Sequence, residues 1–364
     1  MNQVAEASMH ITPVTWLLTF IVIIALLAFD YFFHVRKAHV PTIKEAAVWS
    51  ALYIGIAIIF GIFVTFFWKD ADPNQPYRYG VEWFSGYVTE KALSVDNLFV
   101  FLIIMASFAV PPKDEQKALM WGIVLALIFR FIFIIIGAAA LNQFAWLFYI
   151  FAIFLGYTAV KQIIDHRQER KEKIAGTYQD PDMSDNIVVK AARKFLPITD
   201  HYAGDKILVK EHGRKMLTPL FLVIISLGAV DLMFALDSIP AIFGLTEEAY
   251  IVFTTNAFSL MGLRQLYFLI EGLLDRLIFL AYGIAAILGF IAVKLWLHAM
   301  HVVGNPFSQA GGFKVPEIGT TESLLFILVV LTITVVASLW YAKTHPNDPV
   351  ILASAEKQRK RHAN

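Results

Sequence analysis

The chain has 364 residues, 58% of them hydrophobic and 16% charged, with a mean hydropathy of +0.63. Soluble domains run at about 45–50% apolar and about 25% charged, so this composition excludes a soluble globule and fits a lipid bilayer as solvent. The net charge of +1 singles out no partner, and the absence of cysteine excludes disulfides, thiolate metal sites, iron–sulfur clusters and cysteine nucleophiles.

Nine apolar stretches follow in chain order, at residues 14–33, 46–67, 81–110, 118–141, 144–164, 217–245, 250–270, 277–297 and 323–341. Each reaches the roughly 20 residues that a spanning helix needs. The first follows an N-terminus with no basic residue and lacks a small-residue cleavage site, so it reads as a retained helix rather than a signal peptide. The expected fold class is therefore all-α: a polytopic membrane protein of nine transmembrane helices.

Lysine and arginine set the orientation. One set of loops holds Arg36, Lys37, Lys44, Lys113, Lys117, the basic residues from 167 to 215, Arg276, and the tail with Lys357, Arg359, Lys360 and Arg361. The alternate set holds Lys69 and Arg78 beside Asp70 and Asp72, and then Lys314. The basic set faces the cytoplasm, which puts the N-terminus outside and the C-terminus inside. The longest polar piece runs from 165 to 216. It opens on a charged helical stretch and ends in KILVKEHGRKML, which reads as two short strands around a turn at His212 and Gly213. A cytoplasmic linker is the simplest reading of it.

The two halves resemble each other. LGYTAVK at 155–161 recurs as LGFIAVK at 288–294, an offset of 133. Glu90, Asp96 and Asn97 match Asp231, Asp237 and Ser238 at an offset of 141, and Arg130 matches Arg264 at 134. Each copy holds three spans. Three is odd, so the second copy crosses in the opposite sense: an inverted repeat, whose binding sites sit near the midplane. The expected organisation is two N-terminal helices in 1–70, repeat 1 in 80–165, a cytoplasmic loop in 166–216, repeat 2 in 217–298, and a last helix with a basic tail in 320–364.

A carboxylate at the bilayer centre costs at least about 2.5–3.5 kcal/mol on insertion scales. Glu90, Asp96, Asp231 and Asp237 are four such groups in two helices. Function is the default reading, and structural pairing with Arg130, Arg264 or Lys91 is the bland one. Six residues turn a helix by about 600°, or 240° net, so the two acids of one helix do not share a face. Pro240 crowds the carbonyl of Leu236 and favours a deformed sixth span. Two arrangements satisfy the symmetry. In a ladder, Asp96 and Asp237 are level, with Glu90 and Asp231 at opposite ends. In a cluster, Glu90 meets Asp237 and Asp96 meets Asp231.

Carboxylate, amide and hydroxyl oxygens suit hard divalent cations. The candidate metal ligands are Glu90, Asp96, Asn97, Asp231, Asp237 and Ser238, with Arg130, Asn256, Arg264 and Asp30 as accessory positions. Like charges favour protons on an empty site, so metal and protons are expected to exchange. Each remaining polar residue has a plainer reading. Asp30 reads as an interfacial carboxylate near Arg36, His298 and His301 as a solvated helix end, and Lys161 and Lys294 as snorkelling side chains. Met233 reads as lipid- or core-facing, Glu271 and Asp275 as a solvated turn, and Asn256 and Ser259 as interhelical hydrogen-bonding groups.

RKAHVPTIKEAAVWS after the first span, TEKALSVDNLFVF in the third and TPLFLVIISLGAVDLMFALDSIPAIF in the sixth are similar to the TerC/Alx family of integral membrane proteins. The resemblance covers about residues 34–294. It implies manganese efflux and pH-linked manganese homeostasis, with Glu90, Asp96, Asp231 and Asp237 acting in metal transport. The expected function is a divalent-cation exporter of the cytoplasmic membrane, Mn²⁺ foremost, with no resident cofactor, no enzymatic activity and no nucleic-acid partner. Its partners are the lipid bilayer, the metal ion and protons as counter-ion. An intramembrane aspartyl-type enzyme and a membrane scaffold are the alternatives.

Overall fold

The computed structural model describes residues 9, 11–36, 39–69, 75–177, 189–190, 194, 196–199, 201–211, 214–270, 277–302, 316, 318–345 and 348, without the side chains of Asp96, Phe99, Asn142, Ile270 and Val302. The turn residues His212 and Gly213, together with Glu271, Asp275, Arg276, Lys314 and the basic tail, lie outside the described residues.

Local signals start the helices where the sequence carries them. Thr12 accepts from the amide of Thr15, and Pro13 opens α1 (Pro13–Asp30), which widens into a π turn at Tyr31–Val35. Thr42 and Glu45 form a reciprocal capping box at the start of α2 (Ile43–Phe67). Next come α3 (Arg78–Ser107), α4 (Pro112–Gln143) and α5 (Leu147–Ala175), the last closed by Gly176 at φ +70°. Strands β1 (Leu208–Glu211) and β2 (Arg214–Leu217) pair antiparallel, Leu208 opposite Leu217 and Glu211 opposite Arg214. Then follow α6 (Pro219–Phe243), α7 (Ala249–Met261), α8 (Leu263–Ile270), α9 (Leu280–Val302) and α10 (Thr320–Thr344).

Seven of these helices are long and apolar enough to cross a membrane: α1 with its π turn, α2, α4, α5, α6, α9 and α10. The chain is a polytopic helical membrane protein. Helix α3 has 30 residues, ample length, but carries Arg78, Glu82, Glu90, Lys91 and Asp96 along it. The stretch at 250–270, expected as one span, is instead two helices that meet at Gly262. The cause is local. The Lys91 ammonium donates to the Ser259 carbonyl at 3.0 Å, capping the end of α7. A Cβ at position 262 would stand 3.2 Å from that ammonium and 3.3 Å from Tyr53 Cβ, so glycine makes room for the approach. By contrast, α6 stays helical through Pro240, so the proline does not break it.

The most enclosed of the seven is α6, with 61% of its apolar window buried against 17% for α1. It packs on α4 and α3, while α3 also packs on α7, and α5 lies along α9. Small residues set these distances. A Cβ on Gly156 would meet Ala292 at 3.9 Å, and one on Gly289 would meet Ala159 at 4.0 Å. Likewise, Gly122 faces Leu227 and Gly228 faces Leu125 across α4 and α6. The hairpin segment is not a free linker. Tyr202 donates to the Phe108 carbonyl at 2.7 Å, and Lys117 pairs with Asp205 at 2.9 Å, pinning the segment to the turn between α3 and α4.

Candidate functional site

The enclosed position of α6 has a consequence for its acids. Asp231 faces α3 and α4 and is 1% exposed. There Arg130 of α4 grips it two ways, Nε to Oδ2 at 2.7 Å and Nη2 to Oδ1 at 3.1 Å. The same guanidinium donates through Nη1 to Glu90 Oε1 of α3, to Asn256 Oδ1 of α7 and, at 3.3 Å, to Ser238 Oγ of α6. All five side chains are buried. Four helices therefore meet on one planar cation, the forked geometry that arginine provides and lysine does not.

Glu90 is shared further. Ser94 lies 3.4 Å from Oε1, while Oε2 has no partner among the described residues. One turn on, Asn97 is buried with its Nδ2 unpartnered. Two carboxylates and one guanidinium sum to one excess negative charge if both acids are ionised. Lys91 follows Glu90 in the chain, but its ammonium is directed at the Ser259 carbonyl. The group thus joins carboxylate, amide and hydroxyl oxygens, with one carboxylate oxygen uncommitted. This is the donor chemistry of hard divalent cations. Among the described residues, no three His, Asp or Glu side chains converge on one point, so a cation here must also draw on Asn256, Ser238 or backbone oxygens.

Neither expected arrangement of the acids holds. The cluster paired Glu90 with Asp237, and the ladder put Glu90 and Asp231 at opposite ends. In the structure Glu90 and Asp231 are joined through Arg130. Asp237, rotated to another face of α6, sits half-buried with its Oδ1 3.5 Å from Thr158 Oγ1 of α5. The Asp96 side chain lies outside the described residues. The rotation between acids six residues apart explains the separation.

Arg264 does not join this group. It donates to Asp30 at 2.6 Å and to Gln116, in a second buried knot with Gln265 and His34. Asp30 is not a solvated carboxylate paired with Arg36: it is 4% exposed and neutralised by an arginine 234 residues away. His298 is not simply solvated either, since its Nε2 lies 2.8 Å from Glu247 Oε1. Met233 is 55% exposed on the outer face of the bundle, which fits the lipid-facing reading.

Sequence reasoning missed Glu82. It is 1% exposed, accepts from Arg78 Nε at 2.6 Å and from Thr246 Oγ1 at 2.6 Å. Its place as an acid inside the third apolar stretch, about two helical turns before Glu90, was the available signal. Thr158 and Gln265 carried no signal beyond polarity inside an apolar stretch, and Gln116 none within the charged start of α4. Outside the spans, the His298 contact holds the Glu247 carboxyl below the usual glutamate range, and burial pushes Glu248 up.

Fold and site together define a multi-pass helical membrane protein with a buried ionic centre shared by four helices. The sequence profile described as "Integral membrane protein TerC family" matches residues 76–346, and the chain belongs to that family. An uncharacterized membrane protein of Mycobacterium tuberculosis is 45% identical over 337 residues, covering 92% of this chain and 81% of the relative. An uncharacterized membrane protein of Myxococcus xanthus is 38% identical over 284 residues, covering 78% and 83%. The Salmonella typhi protein named "Putative membrane-bound redox modulator Alx" is 33% identical over 338 residues, covering 90% and 95%. No solved structure matches the chain.

Proposed function

We propose that the chain exports divalent cations, Mn²⁺ foremost, across the cytoplasmic membrane, with Glu90 and Asp231 as the central ligands. The observation that carries this reading is the Arg130 centre. A carboxylate pair from two helices is kept buried and bridged by one guanidinium, with amide and hydroxyl oxygens already in place. A packed apolar core would be cheaper than such a centre, and intramembrane ionisable groups mark ion pathways. In the ion-free state Arg130 holds the acids. An arriving cation takes its place, and protons serve as the exchanged charge. Asn97 and Asp237 line the path on either side.

We read the architecture as nine spans, adding α3 and the α7–α8 pair to the seven, with the N-terminus outside and the C-terminus inside. Helices α3–α5 and α6–α9 form two inverted repeats. The packing supports this: exchanging the repeats turns the α4–α6 contact into the α7–α3 contact and leaves α5–α9 unchanged. The reciprocal contacts Gly156 with Ala292 and Gly289 with Ala159 have the same property. Repeats related in this way rock about a midplane site.

An enzymatic dyad is disfavoured, because a guanidinium clamped on both acids leaves no shared proton between them. The relative named as a redox modulator suggests no thiol route here, since this chain has no cysteine. The test is manganese content in cells expressing wild type, Asp231→Asn or Asp96→Asn. Wild type is expected to lower cellular manganese and the variants not to. Equal manganese in all three defeats the reading.

A further inference from the structure

The second arginine knot resembles the first in chemistry but not in composition. Asp30 and His34 stand four apart where α1 widens into the π turn, so both project to one side of the helix end. π segments of this kind recur at functional sites. Asp30 Oδ1 accepts from Arg264 Nη2 at 2.6 Å and from Gln265 Nε2 at 3.0 Å. His34 Nδ1 lies 3.2 Å from the same oxygen yet is not aligned to hydrogen-bond with it. Gln265 Oε1 and Arg264 Nε are also without partners among the described residues. All four residues are more than nine-tenths buried. His34, Gln265 and Arg264 line one small cleft beneath Trp49, whose ring holds the imidazole edge-on at 4.1 Å.

Buried polar atoms are normally satisfied. Here the imidazole nitrogen beside the carboxylate, and the oxygen of the amide whose nitrogen is bonded to that carboxylate, lack hydrogen-bond partners among the described residues, and both are metal donors. Reversing the Gln265 amide, whose two ends are interchangeable in shape, turns its oxygen toward Asp30. Carboxylate, imidazole and amide then surround one point, a mixed oxygen and nitrogen set suited to first-row divalent ions. We propose that Asp30, His34 and Gln265 form a second divalent-cation site, closed by Arg264 when empty as Arg130 closes the first. Asp30 and His34 lie outside the residues matched by the family profile. The choice of ion rests on the exporter reading; the donor geometry does not.

The two sites differ in one measurable property. The Arg130 centre offers oxygen ligands only, whereas the second offers an imidazole nitrogen. The full chain in lipid nanodiscs, loaded with Mn²⁺ and examined by pulsed electron paramagnetic resonance, is expected to show imidazole-nitrogen modulation. His34→Gln and Asp30→Asn should lose that modulation while Mn²⁺ with oxygen ligands remains. Glu90→Gln should keep it. Because His34 also packs on Trp49, Gln265→Glu gives an independent arm. Adding ligand charge should tighten the nitrogen-coordinated ion about tenfold. No nitrogen modulation in wild type at saturating Mn²⁺, its persistence in both His34→Gln and Asp30→Asn, or an unchanged affinity in Gln265→Glu each overturns the second site. An oxygen-ligated population unaffected by Glu90→Gln would instead defeat the exporter reading and leave this site standing.

Discussion

Glu90 and Asp231, 141 positions apart in the chain, bind the two edges of a single guanidinium. That sharing makes Arg130 the structural keystone of four helices and a competitor for any cation at the same acids. Its removal has opposite consequences for folding and for ligand access.

Arg130→Met leaves two buried acids without a counter-charge. Breaking a buried pair by removing one partner costs about 3–5 kcal/mol. A large drop in thermal midpoint is expected in detergent, partly restored by saturating Mn²⁺. Arg130→Lys should recover little, because an ammonium cannot make the two-edged contact. A variant that melts with wild type contradicts the keystone role.

Two glycines of α2 give a matched pair. A Cβ on Gly61 would stand 2.6 Å from the Trp83 and Phe84 rings, and Trp83 is fully buried. Gly61→Ala should cost about 1–3 kcal/mol through overpacking. Gly55 has nothing within 4 Å, so Gly55→Ala should be neutral or stabilising by about 0.5–1 kcal/mol. Melting the two variants side by side checks both.

The acids were more legible in the sequence than their partners. Glu90, Asp231 and Arg130 stand out because ionisable groups are costly in apolar stretches, and all three converge. Their separation from Asp237 follows from helical rotation, which the spacing of six already contains. The pairing of Glu90 with Asp231, however, depends on which helix faces α6, and local sequence does not encode that. Asp30 was misplaced for the same reason. Near a basic loop it looks solvated, and only the approach of α8 buries it against Arg264. The break at Gly262 was hidden because apolar residues continue through it, and its cause, the Lys91 ammonium, comes from another helix.

The loop between α6 and α7 should respond to acid. His298 holds Glu247 below its ordinary value, so the pair's contribution is fully present above the unfolded glutamate value of about 4.3 and disappears as pH falls through the lowered folded value. Glu248 has the opposite sign: burial raises it, so its contribution is present below that unfolded value and is lost as pH rises through the raised folded one. Thermal midpoints of wild type and Glu247→Gln against pH should converge as the medium becomes acidic. Parallel curves across that window contradict the assignment.

The hairpin's anchoring rests on Tyr202. Tyr202→Phe removes its hydrogen bond to the Phe108 carbonyl, worth about 0.5–1.5 kcal/mol. Amide exchange in β1 and β2 should accelerate, with exchange in α6 unchanged. Equal exchange in the hairpin would mean that the Lys117–Asp205 pair alone suffices.

The most direct test of the central claim is Mn²⁺ flux in proteoliposomes of defined orientation, comparing wild type with Glu90→Gln and Asp231→Asn, which preserve side-chain size. Wild type is expected to show flux that depends on an imposed pH gradient, and both variants to lose it with Mn²⁺ outside or inside. Undiminished flux in both variants would rule out Glu90 and Asp231 as the transport ligands.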